Sequence, residues 1–67
     1  MEKNHLLREQ EAAKILGISI RCLQAWRFQG RGPKYVKLGA AVRYRPTDLD
    51  QFIAQNTVAA TGAAAGR

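Results

Sequence analysis

Cysteine and histidine are nearly missing from this sequence: Cys22 and His5 each stand alone. A lone cysteine excludes an internal disulfide, and no cluster of thiolates or imidazoles at ligand spacing exists to hold zinc, so neither a metal nor another cofactor is expected. Cys22 reads as a small helix residue, and His5 as a solvated or strand residue. There is no pairing of a nucleophile with a base and no phosphate-cradling glycine loop, since Gly30, Gly32 and Pro33 fit a chain breaker. An enzyme is therefore not expected. Long apolar runs are lacking as well: none could cross a bilayer, and the first five residues hold no apolar segment of the kind export requires. The expectation is a soluble protein of the cell interior, with one small domain and a modest core.

Negative charge is absent from the middle of the chain. The acids Glu2, Glu9, Glu11, Asp48 and Asp50 all lie outside residues 12–47, whereas Lys14, Arg21, Arg27, Arg31, Lys34, Lys37, Arg43 and Arg45 lie inside, so the net charge of +6 understates the asymmetry. Such a span favours a polyanion, bound in a salt-sensitive way. An anionic membrane is disfavoured, because the bulky apolar residues that would enter it are needed for the core. A sheet-based reader of single-stranded RNA is also disfavoured, since only Tyr35 and Tyr44 could stack.

What is present is organised around residues 19–30. Ser19 is a good N-cap and Gly30 a good terminator, which predicts a helix between them. At about 100° per residue, Leu23 and Trp26 project to one side with Ile20 at its margin, and Arg21, Gln24, Ala25 and Phe28 project to the other. Just upstream, residues 9–16 form a second short helical pattern closed by Gly17, so that the two helices meet across Gly17 and Ile18. That joint suits a helix-turn-helix whose second helix enters a DNA major groove; it equally suits an ordinary helical hairpin with a solvated basic face.

In the first helix Ala12, Ala13, Ile15 and Leu16 recur at core spacing, Glu9 and Glu11 occupy the first turn, and Arg8 makes a poor cap. Leu6 and Leu7 either add a short strand or fold onto the core. After the basic loop of residues 31–34, two alternating segments, 35–38 and 42–45, predict a hairpin turned by residues 39–41. Val36, Leu38, Val42 and Tyr44 are expected on its inner side, and Lys37, Arg43 and Arg45 outside. Pro46 suits the first position of a third helix, in which Leu49, Phe52 and Ile53 close the core. Residues 1–5 and 56–67 are expected to be flexible, the latter for want of large side chains, leaving a domain at 6–55.

In order and spacing, Glu11-Ala12-Ala13, Leu16-Gly17-Ile18-Ser19, Leu23, Trp26-Arg27, Gly30, Val36-Lys37-Leu38-Gly39, Val42-Arg43-Tyr44 and Asp48-Leu49 resemble the small excisionase and AlpA-like winged-helix proteins, distant relatives of the MerR DNA-binding domain. The resemblance spans roughly residues 6–54. It implies a mainly α winged helix-turn-helix of three helices and a two-stranded wing, with double-stranded DNA as partner and a location in the cytoplasm, on the nucleoid when bound. It further implies base contacts from Arg21, Gln24, Ala25 and Phe28, with Ser19, Cys22 and Arg27 beside them on the recognition helix. Arg31 and Lys34 in the loop, and Lys37, Arg43 and Arg45 on the wing, would hold the backbone. Arg27 is expected to reach either a phosphate or a carboxylate such as Asp48, and Trp26 to anchor the core. Phe28 suits a thymine methyl or a neighbouring subunit. Cys22, in place of a common threonine, loses a hydroxyl contact, and Ala40-Ala41 leave the wing tip apolar.

By that resemblance the protein is an excisionase, also called a recombination directionality factor. Such a protein binds side by side with copies of itself at an attachment site, bends the DNA and directs an integrase toward excision. A transcriptional regulator of a mobile element would use the same fold, and a basic module docking an acidic protein is the reading from another class.

Overall fold

In the computed structural model, which describes residues 5–59, helix α1 (Glu9–Leu16) begins without a capping side chain at Arg8. The Glu11 carboxylate supplies what Arg8 lacks, reaching back one turn to accept the Arg8 amide at 2.8 Å. Gly17 closes the helix in the left-handed region (φ 70°), which turns the chain at once into the next helix. Helix α2 (Ile20–Phe28) is capped by Ser19, whose Oγ accepts the Cys22 amide at 3.0 Å. At its other end the Arg31 and Gly30 amides donate to the Trp26 and Arg27 carbonyls, so the terminator expected at Gly30 is in place.

Strand β1 (Leu7–Arg8) settles the question left at the N-terminus. It pairs antiparallel with β3 (Ala41–Tyr44), which also pairs with β2 (Val36–Leu38), giving a sheet ordered β1-β3-β2. The two-stranded wing is thus the outer part of a three-stranded sheet. Helix α3 (Pro46–Gln55) follows directly, with proline in its first turn. The described residues form the three helices and small sheet of a winged helix-turn-helix.

The hairpin register differs from the expected one by a residue. Val36 stands opposite Arg43, Lys37 opposite Val42 and Leu38 opposite Ala41. Directly opposed residues share a face, so Lys37 lies on the side of Val42 and Tyr44, while Val36 and Leu38 share the outer side with Arg43. The two-residue turn at Gly39-Ala40 sets this pairing, and alternation within each strand could not reveal it. Arg45 is outside the strand altogether, at the N-cap of α3.

Leu7, Ala12, Ala13, Leu23, Tyr44 and Leu49 form the core, with Leu16, Ile18, Trp26 and Val42 packed against it. Ala12 and Ala13 let α2 come close to α1. Ile15 and Ile53 depart from expectation, being 55% and 43% exposed. A helix this short presents only a narrow stripe to its neighbours, and the alanines already fill it. Trp26 is only half-buried; it packs against Phe52, ring centroids 5.5 Å apart, and against the backbone of Gly32.

Gly32 is more than the flexible breaker its sequence position suggests. Its φ is +91°, and a Cβ there would lie 3.0 Å from the Trp26 Cβ and 3.2 Å from the indole ring. Replacing Gly32 with alanine should destabilise the protein by about 1–3 kcal/mol through backbone strain and collision together. A urea titration followed by Trp26 fluorescence would read this, and a midpoint equal to wild type would refute it.

Candidate nucleic-acid interface

Because Leu23 is buried and Trp26 is packed inward, the opposite side of α2 faces solvent. Arg21, Gln24, Ala25 and Phe28 are all exposed there, and with Arg27 they line one shallow depression of about 350 Å³. Phe28 is 94% exposed, an unusual position for a ring on a small domain. Ser19 is exposed but its oxygen is occupied as a cap, and Cys22 is half-buried.

Arg27 is held in place by its own chain. Its Nη1 donates to Tyr44 Oη at 3.0 Å and to Glu9 Oε1 at 3.3 Å, and its guanidinium carbon sits 5.6 Å from the centre of the Tyr35 ring. Burial alone would lower its pKa, but the hydrogen bond and charge interaction with Tyr44, and then those with Glu9, outweigh burial and hold it above the ordinary arginine value. The carboxylate it reaches is Glu9 and not Asp48. Asp48, buried at the start of α3, instead accepts from Arg45 Nε at 2.7 Å. Arg45, expected as an outward wing cation, is therefore neutralised locally.

The remaining cations lie on the loop after α2 and on the hairpin. Arg31 and Lys34 are exposed and, with Arg27, Tyr35 and Arg45, line a cleft of about 430 Å³ between the end of α2 and the sheet. Lys37 is exposed on the hairpin. On the outer side of the sheet Arg43 is half-buried, donates to the Val42 carbonyl and stands directly opposite Arg8. Like charges so opposed weaken strand pairing, and a phosphate against this face would relieve them.

Sequence places Glu9 in a first helical turn and Tyr44 on the inner side of the hairpin, but does not bring them or Tyr35 to Arg27. A signal for Glu9 was available: it precedes Ala12 by three residues and Ala13 by four, which puts it on the face of α1 that meets α2. Tyr35 and Tyr44, with ring centroids 6.2 Å apart, could be brought together only by the hairpin register.

A helix-turn-helix domain family matches residues 6–57, which takes in both helices, the hairpin and α3. The chain belongs to this helix-turn-helix family. The helix-turn-helix is a DNA-binding motif whose second helix lies in the major groove. No curated protein matches the chain. The match begins at the residue before β1 and ends just past α3, so this helix-turn-helix domain includes the strand that closes the sheet. Among the described residues no helix is long and apolar enough to span a membrane.

Proposed function

We propose that this helix-turn-helix protein reads duplex DNA with Arg21 and Gln24 and acts as an excisionase, a recombination directionality factor. The observation carrying the reading is the division of α2: Leu23 is sealed in the core while Arg21, Gln24, Ala25 and Phe28 are solvent-facing on the reverse side. A guanidinium at Arg21 suits bidentate pairing with guanine. Arg31, Lys34, Lys37 and Arg43 supply backbone contacts, as does the Ser19 hydroxyl proton at the start of α2, while Cys22 beside it offers only a weak thiol donor. Arg27 and Arg45, already paired with carboxylates, serve mainly to hold the frame.

A domain of this size reads few base pairs, so occupancy of an attachment site gains from neighbours that touch one another. Phe28 and Leu38, both exposed apolar residues, support such contacts. The proposed partners are duplex DNA, further copies of the chain side by side on it, and an integrase whose outcome they redirect.

Footprinting on the element's attachment region across a protein titration tests this, with adjacent protections expected to appear cooperatively. Independent filling of separate sites counts against the excisionase role, and protection confined to a promoter moves the assignment to transcriptional control. Arg21→Ala should lower affinity about 5- to 100-fold and relax preference at one base pair. Unchanged duplex binding by that variant would instead indicate a basic module for an acidic protein.

A further inference from the structure

The Glu9 side chain lies between the two helices and uses both of its oxygens on α2. Oε1 accepts from Arg27 Nη1 at 3.3 Å, and Oε2 accepts from Gln24 Nε2 at 3.2 Å. The second bond has a chemical consequence. A carboxylate has no proton to give, so the end of the Gln24 amide turned toward it must be the NH₂ group. That fixes which way round the amide sits. One N–H is committed to Glu9, and the carbonyl oxygen and the other N–H are left for whatever approaches from solvent.

An acceptor beside a donor is the pattern that complements adenine in the major groove, where N6 donates and N7 accepts. A glutamine free to rotate would also present two donors or a lone acceptor. We infer that Glu9 is a positioning residue for base reading, which locks the Gln24 amide in the orientation that selects an A·T pair. Glu9 itself touches no base. This inference rests on the preceding assignment of α2 to the major groove.

Glu9 has a second effect, opposite in sign. It draws Arg27 Nη1 toward α1, where a phosphate would otherwise compete for that guanidinium, and it adds a negative charge at the margin of a surface that meets DNA. It therefore lowers affinity for all sequences while sharpening the choice among them. A residue that merely supports the fold would not push these two quantities in opposite directions.

The test uses the full chain and a duplex selected by the wild-type protein from a random-sequence pool, together with its single-base-pair variants. Binding would be measured by fluorescence anisotropy for wild type, Glu9→Gln, Gln24→Ala, Arg21→Ala and the Glu9→Gln/Gln24→Ala double variant. Gln24→Ala should erase an A·T preference at one position. Glu9→Gln should reduce preference at that same position by about fivefold or more, leave the position read by Arg21 intact, and bind random duplex more tightly than wild type. The double variant should discriminate no worse there than Gln24→Ala alone, because both changes remove one interaction.

Glu9→Gln keeps the shape of the side chain, and its melting temperature would verify folding. A readout without DNA accompanies it: the side-chain amide proton resonances of Gln24 should move toward those of the other exposed glutamines when Glu9 is replaced. Unmoved resonances, an intact A·T preference in Glu9→Gln, or an equal change at every position would overturn the inference. If Gln24→Ala and Arg21→Ala leave every base preference unchanged, the groove-reading assignment itself falls and Glu9's role with it. If those variants act and Glu9→Gln does not, only the role of Glu9 is lost.

Discussion

Tyr44→Ala is expected to leave most of the protein unfolded at 25 °C. Tyr44 is 1% exposed and is among the largest fully buried side chains of the described residues. It also joins parts of the molecule that have few other links. It pairs with Leu7 across the sheet, packs against Tyr35 and accepts a hydrogen bond from Arg27 of α2. Truncating a buried aromatic residue to alanine costs about 3–5 kcal/mol, whereas a domain of this length holds only about 3–10 kcal/mol in total. The loss is thus comparable to the whole stability. Tyr44→Phe retains the ring and removes only the hydroxyl, and because Arg27 keeps Glu9 the expected loss is about 1 kcal/mol. Urea titrations of both variants, followed by Trp26 fluorescence and by far-ultraviolet circular dichroism, would separate these effects. A Tyr44→Ala protein as stable as Tyr44→Phe would mean that the ring is not holding sheet and helices together.

The second large effect concerns salt. Of the cations assigned to the backbone, Arg31, Lys34, Lys37 and Arg43 have no carboxylate partner among the described residues, whereas Arg27 and Arg45 are paired with Glu9 and Asp48. At about −0.9 per neutralised phosphate, the first group gives a slope of about −3.6 in log affinity against log salt, or a roughly 150-fold loss between about 50 and 200 mM. If the paired arginines also reached phosphates the slope would approach about −5.4. Titrations of a random duplex at several salt concentrations decide between these values. Lys34→Ala should flatten the slope by about 0.9, and Arg45→Ala should leave it nearly unchanged.

Local chemistry made much of this fold readable in advance. Ser19 and Gly30 bound the second helix, the spacing of Leu23 and Trp26 identifies its buried side, and Pro46 marks the start of the last helix. Each of these depends on residues close together in the chain. The errors share the opposite property. The face of Val36 and Lys37 depends on which residue of the other strand stands opposite, and the partner of Arg27 depends on how α1 lies against α2. Ile15 and Ile53 were placed inside by spacing alone, yet a core this small had no room for them. For the candidate interface, the exposed row on α2 was legible because it is the complement of the buried one. Glu9 was missed because an acid in the first turn of a helix already has an adequate explanation in the helix dipole.

Strand β1 has a consequence for how the molecule assembles. It lies near the start of the chain, yet its partner β3 is formed by residues beyond the middle, with both helices of the helix-turn-helix in between. Leu7 can be sheltered only after Tyr44 has arrived, so the loop enclosing α1 and α2 must close before the core is complete. The core is shared between the two halves of the chain, with Leu7, Ala12, Ala13 and Leu23 from the first and Tyr44 and Leu49 from the second. Acquisition of structure should therefore be all-or-none, with its rate governed by this long-range encounter and not by the speed at which the short helices wind.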